Sequence, residues 1–183
     1  MDKGVAGFRL DAINHMFEDT ELRDEPVNDW VSPDSYDYLD HIHTKDLPEV
    51  YDIVYKWREL LEDYSVEKKL IDKPILMTEA YASTEQTMRY YISDDGKRRG
   101  ANMPFNFQLI YNFNRNEFNA WDVKRGIEEW IYNMPAGETP DWVAGSHDHH
   151  RIASRVHRDK VDQVNAVVLT LPGSSITYYV RAN

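Results

Sequence analysis

Short apolar runs alternate along this chain with longer segments in which apolar residues recur at helical spacing. The apolar runs predict strands at residues 5–10, 74–78, 103–110, 142–145 and 176–180. The helical spacing predicts helices at about 46–64, 83–92, 122–133 and 152–157, and the β-branched segment 161–171 fits either a strand or a buried helix. This alternation favours a parallel sheet with right-handed crossovers, and therefore an α/β fold.

Two of the predicted helices begin with residues that are typical of helix N-termini. Asp46 precedes Glu49 by three residues, and Ser83 precedes Gln86 by the same spacing. In such a capping box the first side chain accepts a hydrogen bond from the backbone of the later residue, whose own side chain bonds back. We therefore expect helices to start at these two positions.

Three carboxylic acids, Asp11, Glu79 and Asp148, each follow a predicted strand at the point where the chain turns polar. In parallel α/β folds the carboxyl ends of the strands form one edge, and ligands bind there. A carboxylate at the end of a mostly buried strand loses hydration, which shifts its pKa and is costly unless the group is used. The sequence therefore predicts one site that contains three acids with tuned protonation states.

The predicted strands are too few to close an eight-stranded barrel, which takes about 250 residues. The chain has 183 residues. We therefore expect a partial (β/α)8 TIM barrel of about five βα units, the latter five of eight, spanning residues 1–183. A long acidic loop at about 16–46 follows the first predicted strand.

Charge and composition exclude several classes of function. The formal net charge is −11 and the longest basic cluster is Lys97–Arg99, so we expect no nucleic-acid partner. No run of 18 apolar residues is present, so we expect no membrane span in this chain. The absence of cysteine excludes disulfides and thiol chemistry.

Three motifs, in this order and spacing, resemble sequence regions of the α-amylase superfamily of glycoside hydrolases. They are Gly7–Ala12 with His15, Thr78–Tyr81, and Gly145–Asp148 with Arg151. Two further segments look like the α-glucosidase (maltase) branch, and most of all its insect members. These are the stretch from Tyr36 to Glu49, and Leu171–Gly173 with Tyr178 and Tyr179.

The resemblance implies a retaining α-glucosidase that hydrolyses terminal α-linked glucose from maltose, sucrose or short oligosaccharides. Asp11 would be the nucleophile, Glu79 the general acid and then base, and Asp148 the carboxylate that stabilises the transition state. Arg9 would hold Asp11 ionised, and His147 would bind sugar hydroxyls. No cofactor is implied, and the calcium of related enzymes finds no support in this sequence.

Four more residues are expected to contact the sugar, because aromatic rings pack against the C–H faces of sugars and polar groups orient them. They are Arg151, His15, Tyr81 and Phe105. The resemblance also implies that the N-terminal barrel half, with the rest of the pocket, lies outside this chain. The isolated chain is therefore expected to be inactive, and the whole protein to be an extracellular or membrane-anchored digestive enzyme.

The chemistry of retention gives a physical reason for dividing the acids into two kinds. A nucleophile and a proton donor must flank the scissile bond, with their carboxyl groups about 5 to 5.5 Å apart. Arg9 lies two residues before Asp11, on the same strand face, where its charge should lower the pKa of Asp11. The apolar approach to Glu79 and the neighbouring carboxylates should raise the pKa of Glu79.

The same residues also allow simpler interpretations. Arg9 and Asp11 could form a structural ion pair, and Asp148 could cap the helix that follows it. His15 could be an ordinary hydrogen-bonded histidine. Phe105, together with Phe107, could be core packing rather than a wall of the sugar site.

A metal site is a further alternative. The run His147–His150, with the pair His41 and His43, carries good ligands for a divalent metal, although more ligands from other strands would be needed. Segment 16–43 holds nine acids and one arginine, which leaves open a calcium site or a solvated lid.

Two other functions would use or lack the same acids. A transglucosylase or sucrose isomerase differs only in whether a sugar hydroxyl or water receives the glucosyl group. The heavy subunits of amino-acid transporters resemble the superfamily but have lost the catalytic acids, whereas all three are present here. The chain departs from the family pattern at Ser146, where Asn is usual, and after Tyr179, where the family turns on Gly and this chain continues as Val180–Asn183.

Overall fold

A computed structural model describes residues 1–113 and 118–179 of the protein. The chain divides into two compact units, Met1–Ala101 and Asn102–Asn183. Both consist of short parallel strands joined by helices, which agrees with the predicted α/β class. Within the described residues, no helix is both long enough and apolar enough to cross a membrane.

In the first unit, strands β1 (Gly7–Leu10) and β2 (Ile75–Thr78) pair in parallel. The register places Gly7 opposite Ile75 and Leu10 opposite Thr78. A Cβ on Gly7 would lie 2.6 Å from the carbonyl oxygen of Ile75, so only glycine fits at this crossing. The 20-residue helix α1 (Pro48–Glu67) lies between the two strands in sequence, as in a βαβ unit.

Helix α1 does not start with the predicted Asp46 cap, and this prediction is wrong. Leu47 is the N-cap and Pro48 the first helical residue, where the missing N–H of proline costs nothing and its fixed φ suits the helix. Asp46 has a φ of 56°, and its backbone N–H donates to the carbonyl of Asn14 at 2.8 Å. Its backbone therefore joins the acidic loop to the segment after β1.

The apolar face of α1 packs on the sheet and forms the core of the first unit. The buried members of this core include Val50, Tyr51, Val54, Tyr55 and Leu61 from α1, with Ile13, Leu76 and Ala80. Phe8 and Leu60, by contrast, remain exposed to solvent beside this core. The βα layer therefore has one covered and one open side within this unit.

Helix α2 (Thr84–Met88) begins with the predicted capping box of Ser83 and Gln86. It ends four residues before the predicted end at 92. Beyond Met88 the N–H groups of Tyr90 and Tyr91 donate to the carbonyls three residues back rather than four, so the chain continues in turns. The carbonyls of Tyr90 and Tyr91 then accept hydrogen bonds from the N–H groups of Ala101 and Gly100, both at 2.7 Å.

The second unit contains β3 (Met103–Pro104), β4 (Asp141–Val143) and β5 (Ser174–Ile176), and β4 pairs with β5 in parallel. Its helices are α3 (Gln108–Asn112), α4 (Ala120–Asn133), α5 (Ile152–Arg155) and α6 (Val161–Thr170). The ambiguous segment 161–171 is thus a helix. The predicted last strand is shifted towards the N-terminus, and Val180 lies outside the described residues.

The predicted strand at 103–110 is wrong beyond its first two residues. After Pro104 the chain turns, because the Asn106 N–H donates to the Asp141 side chain at 2.9 Å and the Gln108 N–H donates to the Asn106 side chain at 3.1 Å. Leu109 and Ile110 are fully buried on helix α3, so a short amphipathic helix accounts for the apolar pattern that resembled a strand.

Candidate active site

The parallel pairing of β1 and β2 brings Asp11 and Glu79 to adjacent strand ends. Hydrogen bonds continue past the strands: the Glu79 N–H donates to the Leu10 carbonyl at 2.8 Å, and the Ile13 N–H donates to the Glu79 carbonyl at 3.1 Å. Ala12 adopts a left-handed conformation, with a φ of 44°, where the chain turns into the short 3-10 helix that follows. The backbone of both acids is therefore fixed on the sheet.

Arg9 contacts both of these acids. Its Nη2 forms a hydrogen-bonded ion pair with Oε2 of Glu79, and its Nη1 lies 3.3 Å from Oδ1 of Asp11. A carboxylate oxygen of Asp11 lies within 4.8 Å of one of Glu79. The expected Arg9–Asp11 pair is thus present, but the guanidinium is shared.

The two acids differ strongly in exposure. The Glu79 side chain is 3% exposed, whereas the Asp11 side chain is 66% exposed. Burial favours the neutral form of a carboxyl group, and an adjacent guanidinium favours its ionised form. Glu79 is subject to both influences, while Asp11 is solvated and faces a cation.

His15 lies next to the acidic loop. Its Nε2 is 3.5 Å from the hydroxyl of Tyr36, whose ring stacks on His41 with 4.0 Å between centroids. The imidazole therefore meets the loop through an exposed tyrosine. Tyr81, two residues beyond Glu79, is half-buried.

Several acids of the loop are engaged by protein donors. The Arg23 guanidinium hydrogen-bonds to Asp19 and lowers the pKa of that carboxyl to about 2. Glu25 accepts hydrogen bonds from the His43 N–H at 3.0 Å and the Thr44 hydroxyl at 2.7 Å. Asp19 and Glu25 therefore accept hydrogen bonds from donors of the loop itself.

In the second unit, the segment after β4 carries His147 and Asp148. Oδ1 of Asp148 lies 3.3 Å from Nε2 of His147, and the Asp148 N–H donates to the Ser146 hydroxyl oxygen at 3.2 Å. Ser146 thus organises the turn that an asparagine would otherwise occupy. The alternative in which Asp148 caps α5 is wrong, because Arg151 is the N-cap residue of that helix.

Arg151 lies against two tyrosines. Its guanidinium carbon is 4.4 Å from the ring centroid of Tyr178 and 4.3 Å from that of Tyr179. Tyr178 is also 6.3 Å from the His147 ring. His147, Arg151 and Tyr178 therefore form one polar and aromatic cluster, beside a small cavity of about 80 Å³ that Gly145, Ser146 and Ile176 help to line.

The two phenylalanines after β3 have different environments. Phe105 is half-buried and Phe107 is buried, and their rings meet edge to face with 6.0 Å between centroids. Phe107 is therefore core packing, whereas Phe105 retains surface that could contact a ligand.

Two imidazoles of the run His147–His150 contact different side chains. His147 contacts Asp148, whereas Nδ1 of His149 lies 3.0 Å from the Ser146 hydroxyl. Within this unit the two imidazoles thus serve different partners.

Sequence reasoning missed two buried ionisable residues in this unit. Arg155 is 7% exposed and donates to the carbonyls of His150, Ile110 and Ala144. Asp141 is fully buried in β4, and burial raises the pKa of its carboxyl to about 8. The available signals were an arginine three residues after the apolar Ile152 and an acid directly before an apolar strand.

Comparisons with known proteins show which family the chain belongs to. The chain is 62% identical over 179 residues to an α-glucosidase from Culex pipiens, covering 98% of this chain and 30% of that protein. It is 45% identical to Maltase 1 from Drosophila virilis, covering 98% of this chain and 28% of that protein. The chain thus spans about 30% of the length of these relatives.

A similar fold occurs among solved structures. The crystal structure of the α-glucosyl transfer enzyme XgtA superposes with a TM-score of 0.73 at 26% identity, covering 95% of this chain and 32% of that one. Residues 1–181 match the family described as Alpha amylase, catalytic domain, which implies an α/β fold of the TIM-barrel type. The chain therefore belongs to the α-amylase catalytic-domain family.

Proposed function

We propose that this chain carries the catalytic acids of a retaining α-glucosidase, which hydrolyses terminal α-linked glucose from maltose, sucrose or short oligosaccharides. The observation that carries the proposal is the pair of carboxylates, Asp11 and Glu79, at adjacent ends of parallel strands with Arg9 between them. The chain belongs to the α-amylase catalytic-domain family, and its relative from Culex pipiens is named an α-glucosidase.

In the first step, the Asp11 carboxylate attacks the anomeric carbon while the bond to the leaving oxygen breaks. Glu79 gives its proton to that oxygen, and a glycosyl ester forms on Asp11. In the second step, Glu79 takes a proton from water as the water oxygen attacks the same carbon, and Asp11 leaves as a carboxylate. Two inversions give net retention, and Glu79 ends protonated as it began.

The spacing of the acids supports retention over inversion. Retaining glycosidases hold the two carboxyl groups about 5 to 5.5 Å apart, whereas inverting enzymes need about 6.5 to 9.5 Å to admit a water molecule. One oxygen of Asp11 lies within 4.8 Å of one oxygen of Glu79, which is compatible with the shorter separation. Direct attack by Asp11 fits this distance better than attack by an intervening water.

The shared contact of Arg9 gives Glu79 a way to change role. While Asp11 is ionised, its negative charge opposes a second one on Glu79, and this favours a protonated acid. Once Asp11 is esterified that charge is lost, and Arg9 can stabilise an ionised Glu79 as the base. One cation, shared by the two carboxylates, thus stabilises whichever of them is ionised.

The remaining roles are proposed for residues of both units. Asp148 would stabilise the oxocarbenium-like transition state, and His147 and Arg151 would bind sugar hydroxyls from the cluster around Tyr178. His15, Tyr81 and Phe105 complete the proposed substrate contacts. His15 contacts the acidic loop, Tyr81 lies two residues beyond Glu79, and the ring of Phe105 is half-buried.

We also propose that the chain is the later part of a (β/α)8 barrel, covering strands 4 to 8, with residues 16–46 as a loop of that barrel. Support comes from the βα alternation of both units and from the share of the relatives that the chain spans. The N-terminal barrel half of the full-length protein would then be the partner that supplies the rest of the pocket.

A second candidate, α-glucosyl transfer, is favoured by one observation: the superposed enzyme XgtA is described as a transfer enzyme. Transfer needs the same two acids and replaces water by a sugar hydroxyl in the second step. The non-catalytic, transporter-subunit alternative gains nothing from the site, because Asp11, Glu79 and Asp148 are all present.

The proposal is tested in a full-length chimera, in which this chain replaces the matching segment of the Culex pipiens relative. Asp11→Asn should lower maltose turnover on the order of 10³-fold or more, because an amide cannot form the glycosyl ester. The substitution is isosteric, so the melting temperature should change little. Asp34→Asn, at an exposed position of the loop, is the matched control. Activity of the Asp11→Asn chimera within about tenfold of the parent would overturn the assignment.

A further inference from the structure

Arg155, the last residue of α5, joins three segments of backbone in the second unit. Its Nε donates to the His150 carbonyl at 2.9 Å and its Nη1 to the Ile110 carbonyl at 3.1 Å. Its Nη2 hydrogen-bonds to the Ala144 carbonyl, directly after β4. One guanidinium thereby links both ends of the segment 145–150, here called the Asp148 loop, to helix α3.

This arrangement is unusual for a buried cation. Arg155 is 7% exposed, and within the described part of the chain its recorded partners are carbonyl oxygens rather than carboxylates. Burial also lowers the pKa of its guanidinium. A buried charge without a counter-charge is costly, and the three carbonyl dipoles offset that cost only while all of them are in place. These hydrogen bonds therefore also fix the positions of the three carbonyl groups.

The Asp148 loop has a hydrogen-bond network of its own, which forms only while its backbone keeps this conformation. The Ser146 hydroxyl oxygen accepts the Asp148 N–H at 3.2 Å and lies 3.0 Å from Nδ1 of His149. Burial, and then the charge of Arg155, lower the pKa of His149, while Asp148 opposes and His150 adds to this effect. Nδ1 of a neutral His149 can accept a hydrogen bond from the Ser146 hydroxyl group. The serine oxygen is then available to accept the hydrogen bond from the Asp148 N–H.

We propose that Arg155 is a positioning residue for Asp148. By binding the Ala144 and His150 carbonyls at once, it fixes the Asp148 loop in the conformation that presents Asp148. The inference rests on the proposed role of Asp148. Arg155 itself has no contact with the reacting atoms and acts only through the loop. Lysine cannot replace it, since one ammonium nitrogen cannot reproduce the planar fork that meets three carbonyls.

Arg155→Lys tests this role in the full-length chimera, with Arg158→Lys as the control at an exposed position three residues on. Two quantities are measured: kcat and KM for maltose, and backbone amide exchange of residues 145–150. Exchange of the α4 amides, Ala120–Asn133, is the internal reference for global unfolding. We expect Arg155→Lys to lower kcat on the order of 10²-fold with KM nearly unchanged, because a misplaced group loses transition-state contacts.

We also expect amide exchange in the Asp148 loop to become faster in Arg155→Lys, while exchange in α4 stays as in the parent. Equal acceleration in both segments would show a merely structural role, and no change in either would show that the clamp is not needed; both results overturn the proposal. The exchange measurement needs no turnover. An inactive parent chimera would therefore contradict the proposed function separately from the role of Arg155.

Discussion

At the scale of single residues, Arg9 forms ion pairs with both Asp11 and Glu79. The sequence indicated Arg9 as a partner of Asp11, two residues on along one strand face. The contact with Glu79 was not predictable, because 70 positions separate the residues and only the β1–β2 register brings them together. The proposed mechanism requires Glu79, buried beside this cation, to give and take a proton, and that requirement can be tested.

We predict that Glu79→Gln slows hydrolysis of maltose on the order of 10²- to 10⁴-fold in the chimera. Aryl α-glucosides with good leaving groups should be slowed far less in their first step, since their departure needs little proton donation. Initial rates across a series of leaving groups give the comparison. Glu85→Gln, at an exposed position in the first turn of α2, is the control. An equal loss for all leaving groups would rule out Glu79 as the general acid.

The positions of Asp11 and Glu79 directly after β1 and β2 were predictable, because each follows an apolar run whose end is visible in the residue pattern. Asp148 lies five residues after the end of β4, and the roles of all three acids stay predictions. Arg155 was not predictable in the same way. Its helix has four residues, too few to show which face is buried, and its partners are carbonyls that any sequence provides. Main-chain acceptors leave no mark in the side-chain pattern.

At the scale of elements, local signals succeeded where they acted alone. The Ser83–Gln86 capping box starts α2 as predicted, because both hydrogen bonds form within one turn. The Asp46 cap failed, because Pro48 determines where α1 starts. The strand predicted at 103–110 failed for a tertiary reason: a contact from Asn106 to Asp141, 35 residues away, turns the chain into α3.

The buried acid of β4 should make the stability of this turn pH-dependent. The carboxyl of Asp141 has a pKa of about 8 in the folded state, raised by burial, against about 3.9 in an unfolded chain. Its contribution to stability is therefore complete below about pH 4 and is lost as the pH rises through 8. No carboxylate or ammonium group lies on the turn 105–107, on α3 or on β5. The hydrogen bond from the Asn106 N–H opposes the rise in the pKa of Asp141, but burial outweighs it.

We predict that Asp141→Asn removes this pH dependence, since the amide is neutral throughout. Relative to the variant, the parent chimera should lose at least about 1 °C in melting temperature between pH 4 and 8, which is equivalent to about 1 kcal/mol in a protein about three times as long as this chain. Above pH 8 the difference should level off. Asp72→Asn, at an exposed site, is the control. Parallel melting curves for the parent and Asp141→Asn would show that the carboxyl ionises freely.

At the scale of the whole molecule, exposed strand edges and apolar surface should determine how the chain behaves alone. In the first unit an apolar groove of about 280 Å³ runs between β1 and α1, lined by Phe8, Leu10, Trp57, Leu60, Leu61 and Leu76. Leu60 is 63% exposed. In the second unit, β4 and β5 form a sheet of two strands, which leaves backbone groups at its edges to pair elsewhere.

Expressed alone, residues 1–183 should therefore associate and show no turnover of an aryl α-glucoside. Light scattering and an activity assay on the purified chain measure both. Leu60→Lys should reduce association by placing a charge in the groove, whereas Leu169→Lys, equally exposed on α6, should have less effect. A soluble monomer with a kcat in the ordinary range of about 1 to 10³ s⁻¹ would contradict the expectation that the pocket needs a further barrel half.

The stereochemistry of the product tests the central claim, a double displacement through Asp11, most directly. Proton NMR of the chimera hydrolysing maltose resolves the two anomers of glucose before they equilibrate. Two displacements by groups about 5 Å apart predict that the glucose cleaved from the non-reducing end is released first as the α-anomer. Initial release of the β-anomer would mean a single displacement by water, and would contradict the role of Asp11 as nucleophile.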